Sequence, residues 1–166
     1  DRDAAARPRG KGEGDVKLVI GIVRPETAND VLEALYRAEV RGVSLHSGAK
    51  ALIVKGGETF LMAVIPADLS LDSHALRALL GTKKLRFATK EEVLALTELT
   101  PGSIPPFGSL FNLPTYCDER LADNARINFN AGSHTVSIQM AYTDYLAYES
   151  PRMAEIAKVD DPADNR

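Results

Sequence analysis

The sequence predicts an α+β domain built on a mixed, largely antiparallel β-sheet with flanking helices. Three observations carry that prediction. The β-rich runs "AKALIVK" and "ETFLMAVI" sit on either side of a glycine pair, a strong hairpin signal. The stretches "LDSHALRALLG" and "KEEVLALTEL" carry apolar residues at helical spacing with caps at their ends. Strand-like runs then return before a last helical stretch, so strands and helices are interleaved without the strict alternation of a parallel α/β chain.

Taken in order, residues 1–16 mix Ala, Arg, Gly, Lys and acids without apolar periodicity and read as a disordered segment. The folded domain is expected over 17–157, with a loose polar tail over 158–166. "KLVIGIV" is a short buried strand stopped by Arg24-Pro25. A helix follows, capped by Thr27 or Asn29, striped by Val31, Leu32, Leu35 and Tyr36, and ended by Gly42. The hairpin comes next, turning at Gly56-Gly57. In "LDSHALRALLG", Leu71, Ala75, Leu76, Leu79 and Leu80 form one face, and Gly81 ends it; "KLRFA" behind it reads as a strand. Thr89 with Glu92 three residues on is a capping box opening "KEEVLALTEL". After the loop "TPGSIPPFG", the runs "LPTYCDE", "ARINFN" and "HTVSIQM" are strands and "TDYLAYE" a closing helix.

Composition narrows the function. The chain has 166 residues, 45% hydrophobic and 26% charged, enough for one packed domain. Its single cysteine, Cys117, cannot form an intramolecular disulfide, and His46, His74 and His134 show no zinc-ligand spacing, so no metal or other cofactor is implied. No apolar run is long enough for a membrane span, so a membrane partner is not expected and the cytoplasm is the expected location. A formal charge of −3 argues against general coating of nucleic acid, while leaving room for a local contact with one nucleic-acid end. There is no P-loop, no G-x-G-x-x-G after a strand and no H-E-x-x-H; Asp68, Asp72, Glu91 and Glu92 suit turns and caps better than paired acid–base catalysis.

Three places could carry chemistry. Lys50 opens the first hairpin strand on the face of Leu52 and Val54, where its stem could simply lie along the sheet or its ammonium could meet a phosphate or a developing charge. A lysine at its ordinary pKa of about 10.4 is a poor base at neutral pH, which favours an anchoring cation. In "TPGSIPPFG", Pro105 and Pro106 fix φ, Gly102 and Gly108 allow close approach, and the N–H groups of Gly102, Ser103 and Ile104 could face an oxyanion; the same residues would also make a plain structural turn. In "NFNAGSHTVSI", Asn130, Gly132, Ser133 and His134 gather small polar groups between two strands. Ser133 and His134, being adjacent on a strand, point to opposite faces and do not form a nucleophile pair.

Together, "GAKALIVKGGETFLMAVIPADLSLD", "KKLRFATKEEVLALTELTPGSIPPFG" and "FNAGSHTVSIQMAYTDYLAY" resemble the YbaK family of aminoacyl-tRNA deacylases, related to the editing domain of bacterial prolyl-tRNA synthetases. The resemblance runs from about residue 38 to 148. It implies a curved mixed sheet with flanking helices, and hydrolysis of the ester of a mischarged small amino acid on tRNA. It gives Lys50 and Gly102 catalytic roles and makes Ser103, Ile104, Pro105, Phe107, Gly108, Asn130, Gly132, Ser133 and His134 substrate-lining, with backbone groups, a water and the ribose hydroxyl of the substrate doing the chemistry. The implied partners are the acceptor end of a mischarged tRNA and an aminoacyl-tRNA synthetase or multisynthetase complex. A noncatalytic module that docks tRNA or a synthetase, as a piece of a larger prolyl-tRNA synthetase or synthetase complex, is the alternative.

Overall fold

The computed structural model describes residues 45–159. The predicted disordered start, the strand over 17–23, the helix from 27 to 42 and the tail beyond residue 159 lie outside the described residues.

The first hairpin pairs β1 (Ala49–Gly56) with β2 (Thr59–Pro66) antiparallel, with Gly56 opposite Thr59. The two-residue turn is therefore Gly57-Glu58, one residue later than the glycine pair suggests, and Gly57 supplies the left-handed φ of +63° that the tight reversal needs. A two-residue strand β3 (Ser70–Leu71) leads into α1 (Ser73–Leu80). Asp72 caps α1 by accepting from the amides of His74 and Ala75, and Gly81 closes it at φ +63°. Leu71 thus lies in β3 rather than on the helix, and of the predicted stripe Leu76 is buried while Leu79 is half exposed.

β4 (Leu85–Phe87) and α2 (Lys90–Thr97) follow. The capping box forms as the sequence predicts, Thr89 Oγ1 accepting from Glu92 N and Glu92 accepting from Thr89 N. Glu92 also takes a bidentate pair from Arg86 at 2.6 and 2.7 Å, which ties α2 to β4. β5 (Thr115–Asp118), β6 (Arg126–Ser133), β7 (Val136–Ala141), α3 (Tyr142–Glu149), β8 (Arg152–Ala154) and β9 (Ala157–Lys158) complete the described order. Lys158, the first residue of the expected tail, pairs with Ser70 in β9.

The main sheet runs β4-β1-β2-β5-β8, antiparallel on the β4-β1-β2 side and parallel from β2 to β8; β3-β9 and β6-β7 are separate antiparallel pairs. The expected α+β fold with a mixed sheet is the one observed. β2 is central and buried on both faces from Leu61 to Pro66, which explains why "LMAVI" is continuously apolar. One face packs Ile53, Met62, Val64 and Cys117 against Val93 of α2, Ile104, Phe129 and Tyr145. The other packs Val54, Leu61, Ala63 and Ile65 against Leu76 of α1, Tyr116 and Ile156. Among the described residues no helix is long and apolar enough to cross a membrane.

Two carboxylates hold the edges. Asp118, fully buried, accepts from the amides of Ile156 and Ala157 at 2.8 and 2.7 Å and from Arg120, so the turn into β9 closes on it. The Arg86 guanidinium beside Glu92, with the Thr89 amide, holds that carboxyl down from its ordinary 4.5 to about 2. A depressed carboxyl contributes stability above its unfolded pKa and loses it as pH falls toward the folded value. Glu92→Gln is therefore expected to flatten the stability loss between pH 4.5 and about 2 in thermal melts taken along a pH series, and to leave the neutral-to-alkaline limb unchanged in shape.

Candidate functional site

The β6–β7 hairpin alternates strictly. Ile127 and Phe129 oppose Met140 and Ile138 on the apolar face, while Asn128 and Asn130 oppose Gln139 and Ser137 on the polar one. Amide and hydroxyl groups join across that polar face, Gln139 Nε2 donating to Asn128 at 2.9 Å and Ser137 Oγ to Asn130 Oδ1 at 3.0 Å. The register slips between Asn130 and Ser133, leaving a bulge in which Gly132 adopts φ +80°.

The bulge is where the glycine–proline loop is held. Asn130 Nδ2 donates to Gly102 O at 2.7 Å, and Gly132 N donates to Ser103 O at 2.8 Å. Because Ser137 holds Asn130 Oδ1, the amide group is fixed with its NH2 toward the loop. His134 packs on the same glycine: its Nε2 lies 3.2 Å from Thr100 Oγ1, and a Cβ added to Gly102 would sit 3.0 Å from its Cε1. Gly102 itself has φ +89°, a conformation that side chains rarely adopt. Gly102, Ser103, Asn130, Gly132 and His134 are thus one cluster.

Within the loop the donors are sorted. Ser103 N donates to Thr100 O at 3.1 Å and Ser103 Oγ to the same carbonyl at 2.9 Å, so this expected donor is committed to a turn. The amides of Gly102 and Ile104 donate to no group among the described residues. The Ile104 side chain is buried in the core and fastens the loop from below. Pro106 is fully buried, and Phe107 packs edge-on against Phe129 at 5.5 Å and Tyr145 at 5.4 Å.

Gly108 has a different use from the one expected. A Cβ there would meet Thr115 Oγ1 at 2.3 Å and Leu113 O at 2.6 Å, so the close approach it allows is to the protein's own strand rather than to a ligand. Beyond it, buried Glu149 accepts from Ser109 N at 3.1 Å, from Ser109 Oγ at 2.5 Å and from Thr115 Oγ1, which anchors the far end of the loop. Ser133 turns toward the hairpin tip, 2.9 Å from Thr135 Oγ1, and away from the loop's bonds. Pro105, Phe107, Phe129 and Gly132 line a groove of about 680 Å³ with Leu110 and Ile138 on the apolar side of the hairpin.

Lys50 stands apart from this cluster. It pairs with Ile65, its Nζ donates to Ala67 O at 3.3 Å, and it is absent from the lining of the apolar groove. Two residues earlier, Gly48 bridges to Asn128 in parallel, and Asn128 Nδ2 donates to Ser47 Oγ at 3.0 Å. That contact ends at Asn128: Asn130, two residues on, bonds to Gly102, and no bond or groove among the described residues joins Lys50 to the loop. Asn128, Ser137 and Thr100 escaped the sequence reading. The N-F-N alternation on one polar face was the available signal for Asn128, whereas the partner of Thr100 lies 34 residues away.

Such a loop can offer uncommitted backbone donors to a developing oxyanion or phosphate. It offers no side-chain nucleophile: burial pushes the Cys117 thiol up to about 12. Among the described residues no group of three or more His, Cys, Asp or Glu could hold a metal ion.

A family described as the aminoacyl-tRNA editing domain matches residues 28–148. The chain belongs to that family. Among relatives of this editing domain, the multifunctional Ser/Thr-tRNA deacylase ProXp-y of Escherichia coli K12 is 32% identical over 126 residues, 73% of this chain and 75% of that protein. The candidate Cys-tRNA(Pro)/Cys-tRNA(Cys) deacylase EbsC of Enterococcus faecalis is 29% identical over 78% of this chain and 79% of that protein. A proline–tRNA ligase of Thermosipho africanus is 30% identical over 95 residues, which make up only 17% of its length. A solved structure described as a candidate trans-editing enzyme for prolyl tRNA synthetase superposes with a TM-score of 0.66 at 26% identity, over 76% of this chain and 78% of that one. The YbaK resemblance and the α+β fold expected of this editing domain are both borne out.

Asn130→Ala is expected to free the loop at its tightest bond, at a cost of about 1 kcal/mol in urea unfolding. Amide exchange at Ser103 and Gly132, the hydrogen-bonded amides of the contact, should accelerate while exchange in β1 and β2 stays slow; uniform acceleration would mean that the bond supports the whole fold instead.

Proposed function

We propose that this chain is a hydrolase that removes a mischarged small amino acid from tRNA. Membership in the editing-domain family supports the reaction class, and the geometry around Gly102 supports a route to it. Water adds to the ester carbonyl, the carbonyl oxygen takes the negative charge, and the C–O bond to the terminal ribose breaks as the ribose oxygen takes up a proton. The oxyanion is what the uncommitted Gly102 and Ile104 amides are offered to meet, the Ile104 amide being held in advance through the Ser103 carbonyl that Gly132 binds and through its own buried side chain. Donors that need no reorganisation are the ones that lower a barrier most. This uncommitted pair of amides on a tethered loop is the observation that carries the proposal.

Lys50 takes the role of a cation for the terminal phosphate or the ester oxygen. His134 and Thr100 wall the acyl side next to Gly102, so a bulky acyl group would meet them before reaching the donors. Serine and threonine esters are the first to try because the relative ProXp-y is a Ser/Thr-tRNA deacylase, and cysteine next because of EbsC. The reaction belongs where tRNA is charged, in the cytoplasm, with a synthetase as the supplier of substrate. It calls for no cofactor.

The test is single-turnover deacylation of Ser-, Thr-, Cys- and Ala-tRNA by wild type beside Lys50→Ala and Gly102→Ala. Loss of about a hundredfold or more is expected for Gly102→Ala, the scale of losing an oxyanion donor, with a comparable loss for Lys50→Ala. Intact substrates throughout, with tRNA or a synthetase still bound, would leave the docking module as the reading. Hydrolysis unchanged in Lys50→Ala would remove Lys50 from the site.

A further inference from the structure

The end of the sheet opposite the candidate site carries a concentration of positive charge that the reaction does not use. Lys83 and Lys84 follow α1 and are exposed, and among the described residues neither forms an ion pair. They lie beside the β1–β2 turn, where Gly57 N donates to Lys84 O, and they share a shallow concavity with Lys55 and Arg86 in which Glu58 is the single acidic residue lining it. Lys83 also borders a second concavity, on its α1 side, with His74 and Arg77.

The neighbouring cations have local uses. Arg86 is locked to Glu92, and Lys55 Nζ lies 3.6 Å from Glu58 Oε2 and 5.3 Å from the Phe60 ring. Arg77 sits in the last turn of α1, where a cation complements the helix end. Lys83 and Lys84 lie past that turn, whose closing carbonyls already accept from Gly81 and Thr82, so the helix end does not account for them. In a chain of net charge −3, an unneutralised lysine pair flanked by further cations marks a place for a polyanion.

Distance chooses the polyanion. From Lys50 to Gly56 is six residues of extended strand, about 20 Å. A single terminal nucleotide held at Lys50 cannot reach that far, whereas an RNA duplex behind an unpaired 3′ end can, presenting a regular row of phosphates on each strand. We infer that the Lys83–Lys84 end of the sheet docks the phosphate backbone of the duplex whose 3′ end enters the Gly102 loop. The inference rests on the proposed function for the placement of that 3′ end. Contacts of this kind read no bases, so the surface supplies affinity and orientation without choosing among tRNAs.

The experiment compares wild type with the double variant Lys83→Ala/Lys84→Ala, using the full chain. The first probe is a fluorescent uncharged RNA hairpin with an acceptor-like duplex and an unpaired 3′ end, titrated by anisotropy between 50 and 200 mM salt. The second is an aminoacyl ester of a short 3′-terminal oligonucleotide that lacks the duplex. The double variant is expected to bind the hairpin about tenfold more weakly, with the slope of log K against log salt reduced by about 2, and to hydrolyse the short ester at the wild-type rate. Equal affinity and equal slope would overturn the inference, as would a matching loss on the short ester. Lysine-dependent binding to polyglutamate without lysine dependence on the hairpin would also overturn it, in favour of an acidic protein partner. If neither protein cleaves any ester, the deacylase reading fails while the hairpin titration still decides the docking surface.

Discussion

The candidate site depends on one contact, the attachment of the Gly102–Ser103 backbone to the bulge of the β6–β7 hairpin. Two hydrogen bonds, from Asn130 and from Gly132, take up the carbonyls of consecutive residues. With those carbonyls fixed, the planes of the Gly102–Ser103 and Ser103–Ile104 peptides are fixed too, and the amides of Ser103 and Ile104 have a set direction. Each partner requires its neighbour: the bulge needs Gly132 at φ +80°, and the loop needs Gly102 at φ +89° with the His134 ring lying where a side chain would begin. The prolines then make sense as restraint rather than recognition, since Pro106 is buried and the residue between loop and core, Ile104, is an anchor.

The same hairpin joins the loop to the sheet. Asn128 bonds to Ser47 and pairs with Gly48 at the start of β1, and Asn130 bonds to Gly102, so two side chains on one polar face connect the lysine strand to the donor loop. Lys50 and Ile104 are separated by the sheet, the isoleucine side chain packing on the core face that Lys50 does not share.

Local features were the legible ones. The hairpin, the capping box at Thr89–Glu92, the Asp72 cap and the Gly81 stop depend on residues within four positions of each other, and each appears where the pattern put it or one residue away. What could not be read was set by contacts across the chain. β3 and β9 are two residues each and exist because they pair with one another across 86 residues. Gly108 reads as a permissive loop glycine until Thr115 and Leu113 are seen to occupy its Cβ space. Ser103 looks like an available donor until Thr100 O is seen to accept it. At the site, residue types were visible while the assignment of each donor to structure or to substrate was not.

That assignment explains how ester chemistry can be supported without a triad. Hydrolysis of an activated ester asks for stabilisation of one oxyanion and exclusion of the wrong acyl groups more than for a strong nucleophile, and both can be met by backbone and shape. Rigidity is supplied from three directions: the bulge above, Ile104 below, and Glu149 at the far end, where a buried carboxylate gathers Ser109 and Thr115 around Gly108. None of these groups need touch substrate, and each restricts a motion that would let the donors turn away. The price is that selectivity rests on a few walls such as His134 and Thr100, and a wall that differs by one methylene discriminates by only about 1–3 kcal/mol. A site of this kind therefore separates small acyl groups coarsely, and under the proposed function any choice among tRNAs has to come from surfaces beyond the pocket.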